Sequence, residues 1–250
     1  MTSFNEIQAL QFAWFTGDET PYGNIEAAFK AVTGVDAEQL QRQRPPNTPV
    51  PLSNASAVVD SKAQIRLQVS PGRADIFIEP VSTEPSFPFF DSPDVVNEYL
   101  QKAKKYCKYS GKVNRQSFII KIAKRVPSAT AFGAEFAKVL GSHFDEAGTS
   151  DHVLQINKRV KLGALEINRV LKWATEIGEI HRVSVNGQFS APGIFTPTVV
   201  VASNFVTYLI DVNTVPTDKL VDAGGQIAIL DKLSLVVKQC MEFESLGDLK

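Results

Sequence analysis

Cysteine is scarce in this sequence, since only Cys107 and Cys240 occur among its 250 residues. Each lies in an amphipathic helical pattern, so we expect two packed thiols in a reducing compartment rather than a disulfide. No apolar run reaches the roughly 18 residues that a bilayer-spanning helix requires. The first ten residues also lack the basic and then apolar pattern of a signal peptide. The sequence therefore predicts a cytoplasmic protein that does not contact membranes.

The motifs of several common enzyme classes are absent as well. Gly111-Lys112 is followed by Val113 instead of serine or threonine, so the sequence has no phosphate-binding loop. A dinucleotide-binding glycine fingerprint, a Gly-x-Ser-x-Gly elbow, paired cysteines at zinc spacing and a His-Glu-x-x-His helix are all missing. These absences disfavour several enzyme classes but leave open catalysis by scattered residues. They favour a protein that is not an enzyme, and we expect no cofactor.

Strand patterns account for much of what is present. The stretch 198–213 has the highest density of β-branched and aromatic residues, which predicts two strands, about 198–202 and 206–212, reversed around Ser203-Asn204. Alternation predicts further strands at 4–16, 115–125 and 152–162. The segment 164–178 fits a helix about as well as a strand, and we favour a strand that pairs with 152–162 around Gly163. Two hairpins are predicted: one joins 65–69 to 76–78, and the other joins 179–185 to 188–190 through Asn186-Gly187.

Helical spacing appears in four clear segments and one polar segment. Helices are predicted after the capping residue Asn24, from Ser92 to about Tyr109, over 129–140 and over about 226–244. A polar helical piece is predicted around 37–44. Prolines extend the connector 45–51, and the polar stretch 142–151 is predicted to be a loop. The link 80–93 carries Phe87, Phe89 and Phe90, which we expect to pack within the chain rather than dock a partner or cover a sheet edge.

These elements predict an α+β fold. Consecutive hairpins favour a mostly antiparallel or mixed sheet, with helices packed mainly on one side. Composition is ordinary for a globular protein, at 44% hydrophobic and 21% charged residues. We expect a single domain over 1–250, in which the proline-rich link 80–93 is the one place where a sub-boundary would fall.

Charge is distributed unevenly, and this is the strongest functional signal in the sequence. Residues 102–182 contain 16 basic and 7 acidic residues, whereas residues 1–101 contain 6 basic and 13 acidic residues. No acid occurs between Tyr99 and Ala134, but nine bases do, interleaved with Tyr106, Tyr109 and Phe118. We call these nine bases the basic block: Lys102, Lys104, Lys105, Lys108, Lys112, Arg115, Lys121, Lys124 and Arg125.

The basic block suggests a non-catalytic binding or adaptor subunit that contacts an anionic partner. Lysine and arginine side chains reach phosphates, and exposed Tyr106 and Tyr109 would stack on bases. Because only two of the nine bases are arginines, charge-driven contact is favoured over specific base readout. The partner is either an acidic protein surface or nucleic acid. A block that faces the acidic first third of its own chain, or is simply solvated, explains the same pattern.

Two other functional classes remain open. A metal-dependent hydrolase or nuclease would use the loop residues His143, Asp145 and Asp151 as ligands, or Asp60, Lys62 and Asp211 as catalytic residues. Asp-x-Lys triplets occur twice, at 60–62 and at 248–250. This composition predicts about two by chance, so the triplet at 60–62 is not evidence for a catalytic site. A structural component of an oligomer is the third class.

Overall fold

Nine strands and four α-helices form in the part of the chain that the computed structural model describes, namely residue 4 and residues 6–16, 24–43, 52–82, 86–90, 92–141, 151–184, 196–243 and 245–249. The strands are β1 (Glu6–Phe15), β2 (Gln39–Gln43), β3 (Leu52–Val59), β4 (Ala63–Ser70), β5 (Arg73–Pro80), β6 (Arg115–Val126), β7 (Val153–Leu162), β8 (Leu165–Ser184) and β9 (Thr196–Thr214). The helices are α1 (Ile25–Thr33), α2 (Asp94–Tyr106), α3 (Phe132–Leu140) and α4 (Ala223–Met241).

All nine strands belong to one sheet in the order β2-β3-β4-β5-β1-β6-β9-β8-β7. Every neighbouring pair is antiparallel. The prediction of an α+β protein with an antiparallel sheet is therefore confirmed. Strand β1 pairs with β5 on one side and with β6 on the other, so strands from both sides of the link 80–93 share the sheet.

Most of the predicted elements form close to their expected positions. The Asn24 side chain accepts a hydrogen bond from the Ala27 amide at 3.2 Å, and α1 ends at Gly34 in the left-handed conformation. The β4–β5 hairpin turns at Gly72 and the β7–β8 hairpin at Gly163, both with positive φ. The predicted turn at Asn186-Gly187, the connector 45–51 and all but Asp151 of the loop 142–151 lie outside the described residues.

One strand prediction and one helix prediction were wrong. The stretch around Ser203-Asn204 does not reverse, because β9 continues through it and pairs there with Gly178 and Ile177 of β8. Local turn residues are overridden when neighbouring strands satisfy the backbone. The segment predicted as a polar helix at 37–44 contains β2, whose exposed residues pair with the unpredicted strand β3.

Residues that alternate along the strands give the sheet two different faces. The apolar face carries fully buried side chains such as Phe12 in β1, Phe118 in β6 and Tyr208 in β9. Phe12 and Phe118 stack with ring centroids 4.4 Å apart, and Trp14 on the same face packs against Tyr106 of α2. The intervening residues form the polar face, whose principal members are Gln11, Phe15, Arg66, Arg73, Asp75, Phe77, Arg115, Ser117, Lys121, Arg125, Asn168, Asp211 and Asn213.

The helices contact the sheet and one another. Helix α1 lies against β3 and β4, and α4 lies against β6 and β9. Helix α2 contacts both α1 and α4, while α3 contacts β9. Both cysteines, Cys107 and Cys240, are buried free thiols, as the sequence predicted.

A candidate anion-binding face of the sheet

The basic block does not form one surface. Four of its lysines belong to α2 and the residues just after it, whereas four other bases lie along β6. Five of the nine bases meet a carboxylate within 4 Å, so much of the positive charge is compensated within the chain. The pairs are Lys102 with Asp60 and Glu98, Lys104 with Asp231, Lys121 with Glu176, Lys124 with Glu135, and Arg125 with Glu6.

The two tyrosines of the block differ in burial, and Tyr106 is not free to stack on a partner. Tyr106 is 1% exposed and packs edge-on against Trp14 at 4.8 Å. Its burial raises the pKa of the phenol well above the ordinary value. The assignment of Tyr106 to a partner-binding surface was therefore wrong. Tyr106 belongs to the buried side of α2, together with Tyr99 and Ala103. Tyr109 is half-buried.

Arginine side chains stack on phenylalanine rings at three places on the polar face. Phe15 lies between Arg73 of β5 and Arg115 of β6 in register, and their Cζ atoms are 5.0 and 4.7 Å from its ring centroid. The Cζ atom of Arg66 lies 4.5 Å from the centroid of Phe77. The third stack places the Cζ atom of Arg125 4.7 Å from the centroid of Phe89 and 5.8 Å from that of Phe205.

The two guanidinium groups beside Phe15 differ in how they are satisfied. Arg73 donates to Asp75 through Nε at 2.7 Å and through Nη2 at 2.8 Å, and this pairing raises the pKa of Arg73. Gln11 also donates to Asp75 at 2.8 Å. The Arg115 side chain makes no hydrogen bond or ion pair to any residue that the structure describes, and its Nε atom is buried. Arg115 is therefore a cation whose charge no described residue compensates.

A row of polar side chains continues across the same face from β6 to β7. Asp211 accepts hydrogen bonds from Ser117 at 2.6 Å and from Asn213 at 3.0 Å. Asn168 donates to Asn213 at 3.1 Å and accepts from Nε of Arg159 at 3.2 Å. These bonds hold the side chains in fixed positions; Ser117 and Asn213 are buried, whereas Asn168 and Asp211 are partly exposed.

The residues proposed for a hydrolase are not brought together. Asp60 and Lys62 lie in the β3–β4 turn, where Asp60 takes a positive φ and is exposed. Asp211 lies in β9, and β4, β5, β1 and β6 separate the two positions. At about 4.8 Å per strand the separation is roughly 20 Å, which is too far for one catalytic centre.

The proposed metal ligands fall mostly beyond the part of the chain that the structure describes. His143 and Asp145 are outside it, and Asp151 is exposed. Within the described ranges, no group of three His, Cys, Asp or Glu side chains is arranged to hold a metal ion. The neighbouring His152 is buried and packs on the ring of Phe136 at 5.2 Å.

Sequence reasoning missed Arg66, Arg73, Phe15 and Phe77 as members of a surface site. The signal was present in 73–78, where Arg73, Asp75 and Phe77 alternate with Ala74, Ile76 and Ile78. Alternation of this kind assigns the two sets to opposite faces of a sheet. Which strand lies beside Phe15 follows from strand order, however, and local pattern does not determine that order.

Known sequences provide no family for this chain. No helix among the described residues has the length and apolarity to cross a membrane. No protein-family model and no curated protein sequence matches the chain.

Proposed function

We propose that this chain is a non-catalytic binding or adaptor subunit, in the cytoplasm, that contacts an anionic partner through the polar face of its sheet. The observation that carries this proposal is the presence on that face of arginines for which the described residues provide no compensating carboxylate. Neither the Arg66 nor the Arg115 side chain makes a hydrogen bond or ion pair to a described residue, and each stacks on a phenylalanine ring. Stacking holds the planar guanidinium in position and so lowers the entropy cost of binding.

The proposal includes an arrangement of a single α+β domain in which the helices pack mainly on the apolar face. The contact of Trp14 with Tyr106 and the contacts of α4 with β6 and β9 support it. In that arrangement the partly exposed Arg66, Arg115 and Lys121 of the polar face are accessible to a partner, whereas Asp75, Ser117 and Asn213 on the same face are buried. Phe87 and Phe89 cover one end of this face, because they pack on Phe205 with ring centroids 5.3 and 5.9 Å away.

An acidic protein surface suits this face better than nucleic acid does. Binding of a nucleic-acid backbone depends on several uncompensated cations, but on this face Arg73, Lys121 and Arg125 are paired with acids. Arginine is enriched at protein interfaces, and the partly exposed Asn168 and Asp211 add polar groups to this face. The partner we propose is therefore a protein segment rich in aspartate and glutamate.

Fluorescence anisotropy with labelled poly-L-glutamate tests this function. We expect saturable binding at low salt that weakens about tenfold or more in the double variant Arg66→Gln, Arg115→Gln, since each lost charge-assisted hydrogen bond is worth about 1.5–3 kcal/mol. The matched control is Lys105→Gln, Lys108→Gln, which removes two charges near the end of α2 and should retain affinity. Equal loss in both variants, or stronger binding to an oligo-dT of equal charge, contradicts the proposal.

A structural role in an oligomer is a second candidate, favoured by the β8–β9 hairpin. Residues 179–184 pair with 196–202, and no other strand among the described residues flanks them. A two-stranded ribbon is marginally stable in water, and its free edges are available to another chain. Native mass spectrometry tests this role. A strictly monomeric mass at micromolar concentration contradicts it.

A further inference from the structure

A pocket of about 310 Å³ lies at the end of the sheet where β6 and β8 begin and β9 ends. Arg115 is its one lysine or arginine, and Glu166 and Thr217 also line it. The polar residues Asn114, Gln116 and Thr214 line it too, and the apolar part of the wall is formed by Val113, Ala164, Leu165, Val215, Pro216, Val221 and Ile229. Its volume lies at the lower end of the range of small-molecule sites, and apolar walls with a few polar groups are typical of such sites.

Backbone hydrogen bonds build the walls of this pocket. Val113 and Val221 exchange two bonds of 3.0 and 2.8 Å, and Val215 donates to the Glu166 carbonyl at 3.0 Å. The buried side chain of Gln226 donates to the carbonyls of Gly111 and Val221 at 2.6 and 3.0 Å. The pocket is therefore formed before a ligand arrives, which lowers the entropy cost of binding.

Two charged residues, Arg115 and Glu166, line the pocket. The Glu166 carboxylate lies 3.6 Å from the ammonium group of Lys161, whereas the Arg115 guanidinium has no acceptor among the described residues. A guanidinium against Phe15 presents donors in a plane, and that geometry matches a carboxylate. The apolar walls then leave room for hydrocarbon rather than for a second charged group.

We propose that this pocket binds a small carboxylic acid with a short apolar chain. The carboxylate pairs with Arg115, and the chain lies against Val221 and Ile229. A phosphate monoester fits less well, since it would place a second negative charge near Glu166 and leave the walls in contact with water. The inference shares Arg115 with the proposed function, but it concerns a small ligand at the sheet end rather than a protein on the polar face.

Isothermal titration of the full chain with sodium hexanoate at constant ionic strength tests this inference. We expect saturable binding, about tenfold weaker or more for hexanamide, which has the same chain without the charge. Acetate, which lacks the chain, should bind more weakly than hexanoate because it leaves the apolar walls uncovered. Equal affinity for hexanoate and hexanamide, or no saturable heat with hexanoate, overturns the proposal.

Three variants separate this site from the proposed protein-binding face. Arg115→Gln should weaken hexanoate about tenfold or more, whereas Lys105→Gln, which removes the same charge from α2, should not. Thr217→Phe, at an exposed position on the rim, should fill the pocket and block hexanoate while poly-L-glutamate still binds. Arg66→Gln should weaken poly-L-glutamate only. Hexanoate binding that survives both Arg115→Gln and Thr217→Phe places the ligand elsewhere and contradicts the proposal.

Discussion

The two faces of the sheet are made by the same strands, yet they use side chains in opposite ways. On the apolar face Phe118 is completely buried and stacks on Phe12, and its contribution is to the free energy of folding. On the polar face, the adjacent residue Ser117 donates a hydrogen bond to Asp211, and Arg115, three residues before Phe118, stacks on Phe15. The difference teaches that a cluster of charges in sequence is divided by strand alternation, and only the residues of one parity reach a given surface.

The largest effect should separate Phe118 from its neighbour Ile119. Phe118→Ala removes a fully buried ring, and we expect the free energy of unfolding to fall by about 3–5 kcal/mol. Ile119 is half-buried on the polar face, so Ile119→Ala should cost about 1 kcal/mol or less. Urea denaturation of both variants measures the difference. Similar losses at the two positions would mean that both faces are covered to the same extent.

Arginine to methionine substitutions should have opposite signs on the two faces. Arg169 is 7% exposed on the apolar face, where its Nε and Nη2 atoms have no hydrogen-bond partner among the described residues. Arg169→Met removes a buried charge for which the described residues provide no carboxylate, only the Cys240 thiol, and should raise the free energy of unfolding by about 1–3 kcal/mol. On the polar face, Arg73→Met leaves the buried Asp75 carboxylate with a single donor from the described residues, Gln11. This change should lower the free energy of unfolding by a similar amount.

The same denaturation experiment provides the control for that pair. Leu171 lies between Arg169 and Trp173 on the apolar face and is fully buried, so Leu171→Met tests whether methionine fits there. We expect a cost below about 1.5 kcal/mol for this near-isosteric change. A loss of stability in Arg169→Met that exceeds the loss in Leu171→Met would show that the guanidinium is compensated.

The thiols packed with the apolar face should make the protein sensitive to alkaline pH. Burial raises the pKa of both Cys107 and Cys240 from the ordinary value of 9.0 to about 11. The folded chain therefore keeps both thiols protonated where the unfolded chain ionises them. This contribution to stability is complete below pH 9 and is lost as pH rises through 11, by on the order of 2 kcal/mol per thiol.

Cysteine variants isolate that contribution. In Cys107→Ala and Cys240→Ala, the decline in the free energy of unfolding between pH 9 and pH 11 should be shallower than in the unaltered chain, although stability at pH 7 is lower. Guanidinium denaturation at pH 7, 9 and 10.5 provides the comparison. Tyr99, whose burial raises its pKa to about 12, contributes chiefly above pH 10. An unchanged slope in both variants would mean that the thiols ionise equally well in the folded state.

Most of the elements were predictable because their signals are local. Asn24 caps α1 and Gly34 ends it, and the side chain that bonds and the glycine that takes positive φ are both visible in the sequence. Ser203-Asn204 was misread because hydrogen bonds from two neighbouring strands decide whether β9 turns. The site was harder to predict, since Arg73 and Arg115 lie on either side of Phe15, and the three residues belong to strands that are far apart in sequence.

The smallest effect should come from the lysines of the basic block that belong to neither face. Lys105 and Lys108 are exposed and form no ion pair with any residue in the described ranges. Lys105→Gln, Lys108→Gln should therefore change the free energy of unfolding by no more than about 0.5 kcal/mol. Exposed charges separated by more than about 10 Å at 0.1 M salt are largely screened from one another, so the polar face should not sense their removal. If this double variant instead loses poly-L-glutamate binding while Arg66→Gln, Arg115→Gln retains it, the anionic partner meets α2. The functional surface would then be the helical part of the basic block and not the polar face of the sheet.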